Sequence, residues 1–231
     1  MYNFFDSNVM IGYIYSLDPL NKVAKKAITK DGVNYYSEHV KSEVNKVVRR
    51  KNREYDSFFR RISNLINKSD DNSFVDLSQI HNAVSRFKPI GKLEVKDMHI
   101  AVEVIWQELG FDENTDAFKV KSDFDNYWDN FHSKHRNCKK HCFQFMECIP
   151  AHSQKDKTVL AQIDKKSLRR DDCLHAGDED ILFDVHEYIK QHPELDLLFV
   201  SGDEGFVRAI SVQIDVLAFN KYKYLDEFLN N

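Results

Sequence analysis

Four acidic residues stand where the sequence predicts strands to end or helices to begin. Asp6 directly follows the apolar run "YNFF", and Asp203 follows the apolar run "DLLFV" by three residues. Glu43 lies in the second turn of the helix predicted after the strand "VNYYS", and Asp178 opens the predicted helix "GDEDILFDVHEYI". Because the carboxyl ends of parallel strands meet at one edge of a sheet, we expect these carboxylates to share a crevice.

Carboxylates gathered in one pocket repel one another unless cations neutralise them. Hard divalent ions such as Mg²⁺ or Mn²⁺ prefer carboxylate and water oxygens as ligands. Such ions can activate a water and stabilise a leaving oxygen when a phosphodiester is hydrolysed. The sequence therefore predicts a metal-dependent nuclease site formed by Asp6, Glu43, Asp178 and Asp203.

The surroundings of the third acid leave alternatives. Asp180, and further away Asp171 and Asp172, can take the place of Asp178. His175 precedes Asp178 by three residues, and we expect it at the mouth of the same pocket. It is a candidate general base, although a metal-activated water makes one unnecessary.

The composition is that of a globular chain with a sizeable core. Of its 231 residues, 42% are hydrophobic and 30% are charged, and the formal net charge is −4. This balance excludes a protein that is basic over its whole surface. Basic residues instead concentrate in three segments, 41–61, 134–140 and 165–170. These segments are either solvated helix faces or a surface that follows phosphates around the acidic pocket.

Strands alternate with helices at both ends of the chain, which predicts a parallel sheet covered by helices. The predicted strands are "YNFFD", "VNYYS", "FQFMECIP", "DLLFV" and "VQIDVLAF", and "KYKYLDEFL" is predicted as the closing helix. Between them, residues 53–142 show helical patterns only. We therefore expect an α/β domain formed by residues 1–52 and 143–231, interrupted by an all-helical insertion, 53–142.

Several patterns bear on the compartment and on a second metal. Met1 leads directly into a strand, so we expect no leader, and no apolar run is long enough to cross a membrane. Four cysteines without a paired pattern are most simply free thiols, which favours the cytoplasm. The stretch "FHSKHRNCKKHC", residues 131–142, offers imidazole and thiolate ligands for zinc, but its lysines favour a basic helix that contacts phosphates or solvent.

In their order along the chain, "FFDSNV", "SEHVKSEV", "GDEDIL" and "FVSGDEGF" resemble the motifs of the PIN-domain ribonucleases. The residues that match are Asp6, Ser7 and Asn8 in the first motif, Glu43 in the second, Asp178 and Ile181 in the third, and Ser201, Asp203 and Phe206 in the fourth. The resemblance covers about residues 1–50 and 143–231, and the long helical middle departs from the family's pattern.

The resemblance implies a PIN-like three-layer sandwich with a central parallel sheet of about five strands flanked by helices. It implies that the four acids hold Mg²⁺ or Mn²⁺, with Asp180 and His175 nearby. It also implies that Asn8 orients Asp6 and that Ser201 hydrogen-bonds a phosphate oxygen or a water on the metal. The reaction would be endonucleolytic hydrolysis of RNA, leaving 5′-phosphate and 3′-hydroxyl ends. An antitoxin-like or other protein and a second copy of the chain are the partners that the family suggests; a membrane is not.

Rival interpretations belong to other classes. A haloacid-dehalogenase phosphatase also uses an aspartate at the end of a strand, but it needs a second one two residues later, where this chain has Asn8. A PIN-like scaffold that binds RNA or protein without cutting, and a DNA-directed nuclease, remain alternatives. Metal binding without cleavage would favour the scaffold.

Overall fold

The computed structural model of the chain describes residues 2–68, 74–112, 114–152, 158–159 and 177–230. These residues form two compact units. The first consists of Met1–Ile14, Leu20–Lys46 and Cys138–Asn231, and the second of Tyr15–Pro19 and Val47–Asn137. The predicted helix "KDKTVLAQIDKKSL" lies almost entirely outside the described residues.

The first unit contains the sheet. Among the described residues, its strands are β1 (Tyr2–Phe5), β2 (Val33–Ser37), β3 (Glu147–Ile149), β4 (Leu197–Ser201) and β5 (Lys221–Tyr224). They pair in the order β3-β2-β1-β4-β5, and every pairing is parallel. The predicted α/β class, with a central parallel sheet of about five strands flanked by helices, is confirmed.

The helices follow the strands along the chain. Helices α1 (Ser7–Ile14), α2 (Asn21–Ile28), α7 (Asp178–Gln191), α8 (Glu204–Gln213) and α9 (Leu225–Leu229) belong to the first unit. Helices α4 (Leu77–Val84) and α5 (Val95–Leu109) belong to the second. The division between the units falls within α3 (Glu38–Ile66) and α6 (Ala117–Gln144). None of the described helices combines the length and the apolarity that a bilayer crossing requires.

The neighbouring strands β1 and β4 are buried on both faces, as the near-continuous apolar run "DLLFV" predicts for β4. Their register pairs Phe4 with Phe199 and Phe5 with Val200. The Phe199 ring stacks on Phe4 at 5.2 Å between centroids and also contacts the rings of Phe206 and Phe219. This aromatic packing fixes β1 and β4 side by side, so both strands end at the same level.

The prediction of the fifth strand was wrong. Helix α8 continues through Gln213 into the segment "VQIDVLAF", and β5 is formed by "KYKY", Lys221–Tyr224. The cause is that Ile210, buried on α8, extends the helical period, whereas the Lys-Tyr alternation of β5 has the period of an edge strand. Two other bounds were also too wide: β3 begins only at Glu147, and the closing helix only at Leu225.

The second unit has an aromatic core. Phe59 packs edge-on against Phe131 at 4.7 Å between ring centroids, and Tyr55 packs against the same ring at 5.2 Å. Tyr15 stacks on Tyr55, and its hydroxyl donates a hydrogen bond to Val48 O at 2.9 Å. The parts of α3 and α6 that lie in this unit are held together by these rings.

Replacement of Phe199 by alanine tests the packing that aligns the central strands. We expect Phe199→Ala to lower the free energy of unfolding by about 3–5 kcal/mol, because it leaves a cavity among three aromatic rings. Urea denaturation followed by circular dichroism measures this loss. Val212→Ala, on the exposed side of α8, is the control and should change stability by less than about 0.5 kcal/mol. Equal effects of the two substitutions would contradict the packing described here.

Candidate active site at the carboxyl edge of the sheet

Asp6 is the residue that ends β1, and its side chain is buried at the edge of the sheet, with 1% of the residue exposed. Its backbone N–H still donates to Val200 O, so the residue continues the ladder with β4. Its Oδ1 accepts a hydrogen bond from Val9 N at 3.1 Å, and its Oδ2 accepts one from Ser201 Oγ at 2.5 Å. The carboxylate is thereby anchored both to the start of α1 and to the end of β4.

Asp203 occupies the equivalent position after β4. Its Oδ1 accepts a hydrogen bond from Phe206 N at 3.1 Å and caps the N-terminus of α8. Its own N–H donates to Ser201 Oγ at 2.9 Å. Ser201 therefore connects the two acids, since it donates to one and accepts from the backbone of the other.

Glu43 reaches this edge from α3. Ser37 ends β2, and its Oγ accepts a hydrogen bond from Val40 N at 3.3 Å, which starts the helix as the sequence predicts. Val40 and Val44 are fully buried and fix the helix against the core. Glu43, half-buried one position before Val44, lies near enough for its charge to act on Asp6.

The electrostatics of Asp6 show that the acids converge. The pKa of Asp6 is raised from 3.8 to about 7. Burial is the largest cause, the hydrogen bonds from Ser201 and Val9 act in the opposite direction, and the charges of Glu43 and Asp203 add to the rise. Three of the four predicted acids therefore interact. A proton or a cation is needed at neutral pH to offset their repulsion.

The fit of this edge to a divalent ion rests on that repulsion. Among the described residues, no group of three or more His, Cys, Asp or Glu side chains is already arranged to hold a metal ion. Yet Asp6 is a buried carboxyl with two acids acting on it. Each of its oxygens accepts a single hydrogen bond from the described residues and so retains a lone pair. Oxygen donors of this kind suit Mg²⁺ or Mn²⁺.

The third predicted acid lies in the first turn of α7. Asp184, in the middle of α7, contacts His39 just after β2 and His152 just after β3. Asp180 stands four residues before Asp184 and shares its face of the helix. Asp178 lies about 120° around the helix from Asp184. The face of α7 that meets the carboxyl ends of β2 and β3 therefore carries Asp180 rather than Asp178.

Of the residues predicted to surround the four acids, some lie at this edge and others lie outside the described residues. Asn8 lies in α1 beside Gly202, where its Cβ is 3.4 Å from the position that a Cβ on Gly202 would take. In the part of the chain that the structure describes, Val9 and Ser201 orient Asp6, and Asn8 donates no hydrogen bond to it. Ser201 donates its hydroxyl hydrogen to Asp6, so this hydrogen is not available to a phosphate or a water. His175, Asp171 and Asp172 lie outside the described residues.

Three further residues at this edge were not predicted from the sequence. Tyr224 ends β5 opposite Ser201, and its pKa is raised mainly by burial and further by nearby acids, Asp203 among them. His39 and Asp184 form a hydrogen-bonded pair. An acid within the buried run "ILFDVHEYI" was the available signal for Asp184, because an aspartate in such a run needs a partner.

Two of the three histidines in the stretch 131–142, His132 and His135, make structural contacts. His135 is 2% exposed, and its ring packs against Phe131 at 4.0 Å and Tyr15 at 4.6 Å between centroids. His132 Nε2 lies 2.7 Å from Asp56 Oδ1. The expectation that these histidines face phosphates or solvent was therefore wrong for His135, whose aromatic neighbours enclose it.

Comparisons of the chain with protein-family models, with curated proteins and with solved structures find no match.

The raised pKa of Asp6 makes stability depend on pH. The folded protein holds this proton up to about pH 7 and the unfolded chain only to about 3.8. Stability is therefore fully present below the unfolded pKa, falls as the pH rises between the two values, and is lowest above the folded one. We expect Asp6→Asn to remove this loss, on the order of 4 kcal/mol from three pKa units.

Urea unfolding in EDTA at about pH 5 and about pH 8.5, on either side of the folded pKa, measures this effect. Relative to wild type, Asp6→Asn should gain about 3 kcal/mol more at the higher pH than at the lower, because about a third of the loss is already present at pH 5. Asp215→Asn, a substitution of an exposed aspartate, should follow wild type at both. If the curves of wild type and Asp6→Asn run parallel, the raised pKa is refuted.

Proposed function

We propose that the chain is a metal-dependent endoribonuclease of the PIN type, which hydrolyses RNA to 5′-phosphate and 3′-hydroxyl ends at the carboxyl edge of its sheet. One observation carries the proposal: the buried Asp6 carboxylate is fixed between Val9 N and Ser201 Oγ, with Glu43 and Asp203 close enough to act on it. The order of acids along the chain and the parallel sheet support it.

The residues that would hold the ion are Asp6, Glu43 and Asp203, with Asp180 or Asp178 as the fourth acid. A bound Mg²⁺ or Mn²⁺ would supply the charge that offsets carboxylate repulsion, activate water and stabilise the leaving oxygen. Ser201 holds Asp6 in place through its hydroxyl, so the carboxylate needs no rearrangement when substrate arrives.

A basic face of α3 supports a polyanionic substrate. Arg49, Arg53 and Arg60 are exposed and project from one side of the helix, over about 16 Å of its length. None of the three forms an ion pair with an acid among the described residues, so their charge is available to phosphates. This face belongs to the second unit, whereas the strands of the sheet belong to the first.

A second candidate is a scaffold that binds RNA without cutting it. The observation that favours it is the absence, among the described residues, of three ligands already placed around one ion. In this alternative a proton rather than a metal ion offsets the charge of Asp6, and the arginine face of α3 binds RNA by charge alone.

Cleavage assays decide between the two candidates. Labelled single-stranded RNA, structured tRNA-like RNA and single-stranded DNA are incubated with Mn²⁺, with Mg²⁺ and with EDTA. We expect wild type to cut RNA only with a metal, and Asp6→Asn to reduce cutting by at least about 100-fold, because it removes a charged ligand. Sequencing of the products should show 5′-phosphates.

Asp215→Asn is the matched control and should cut RNA as wild type does. A preference for DNA would move the proposal to the DNA-directed nuclease. RNA binding without cleavage, lost when Arg49, Arg53 and Arg60 are replaced by glutamine, would establish the scaffold instead.

A further inference from the structure

One buried carboxylate in α7, that of Asp184, is not among the proposed metal ligands. Asp184 is wholly buried, and both of its oxygens have donors. Its Oδ1 accepts from His152 N at 3.0 Å, and its Oδ2 lies 2.7 Å from His39 Nδ1. No lysine or arginine pairs with Asp184 among the described residues. The imidazole of His39 is therefore its side-chain partner.

The contact fixes which nitrogen of His39 is available. Because the carboxylate of Asp184 accepts, Nδ1 carries a hydrogen, and exchange of a proton is left to Nε2. The side chain of His39 is 36% exposed. Its Nε2 has no hydrogen-bond partner among the described residues. A histidine that is oriented from behind and open at the other nitrogen is equipped to transfer a proton to or from a ligand.

The position of the pair relates it to the acidic edge. His39 lies in the first turn after β2, and Glu43 follows it by four residues on the same face of α3. Asp180 precedes Asp184 by four residues on the same face of α7. Both helices thus carry a candidate metal ligand one turn away from the pair.

We propose that His39, oriented by Asp184, is a catalytic residue that protonates the leaving 3′ oxygen during RNA hydrolysis. This step rests on the proposed nuclease function. The oxygen of water forms a bond to phosphorus, and the bond between phosphorus and the 3′ oxygen breaks with its electron pair on that oxygen. The Nε2 proton passes to the 3′ oxygen, the water gives its proton to solvent, and solvent reprotonates His39 at its exposed edge. Asp184 is a positioning residue and keeps its charge throughout.

A change of leaving atom tests this step. Two RNA substrates are compared, one natural and one with sulfur in place of the 3′ oxygen at the cleaved linkage, because a thiolate leaves without a proton. We expect His39→Gln to slow cleavage of the oxygen substrate by about 100-fold or more and that of the sulfur substrate by no more than about threefold. Asp184→Asn should show the same pattern, and Asp6→Asn should slow both substrates.

The tautomer of His39 gives a readout that does not require activity. Nitrogen-15 NMR of the histidine rings should place the hydrogen of neutral His39 on Nδ1 in wild type, and mainly on Nε2 in Asp184→Asn. The exposed His141 should be unchanged. An unchanged tautomer of His39 would overturn the orienting role of Asp184.

The outcomes separate this step from the function on which it rests. If wild type cuts RNA and His39→Gln slows both substrates equally, or neither, the proton-donor role is wrong while the nuclease stands. If wild type cuts neither substrate, the nuclease proposal falls and this step falls with it.

Discussion

The hydrogen bond between Ser201 Oγ and Asp6 Oδ2 joins the ends of the two central strands, and the arrangement of the edge depends on it. It is formed because β1 and β4 pair in parallel with Phe5 opposite Val200, which brings the next residue of each strand together. A carboxylate buried to this degree would be destabilising without donors. Ser201 and the start of α1 provide them, so the acid stays where the chain turns from strand to helix.

The acids of the edge could be predicted from sequence because their positions follow from local rules. An apolar run marks a buried strand, a polar residue marks its end, and parallel strands end at one edge. Asp6 and Asp203 needed no more than this. The same rules placed the fifth strand wrongly, because the end of an amphipathic helix and a short apolar strand have similar sequences over a few residues. The alternation of Lys and Tyr in Lys221–Tyr224 was the better signal of a strand, although the tyrosines are only half-buried.

The pairing of His39 with Asp184 could not be read from sequence, because 145 residues separate its members. Neither residue has a local pattern that names its partner. A similar limit applies to His135, whose aromatic enclosure includes Tyr15 from a distant part of the chain. Periodicity shows which side of a helix is apolar, but not which polar residue another element will meet there. That Asp180 shares a face of α7 with Asp184, whereas Asp178 does not, became apparent only from the contacts of Asp184.

Capping and chemistry are often treated as competing explanations for an aspartate at the end of a strand, but here they are connected. Asp6 and Asp203 accept hydrogen bonds from the first turns of α1 and α8, and those bonds hold the carboxylates at the edge in fixed orientations. Burial is the main reason that Asp6 retains a proton to about pH 7, and the charges of Glu43 and Asp203, which the same anchoring keeps close, add to it. A site that cannot relax its own charge favours whatever brings positive charge to it. In the proposed enzyme that is a divalent ion, and the structural bonds of the fold thereby supply part of the driving force for binding it.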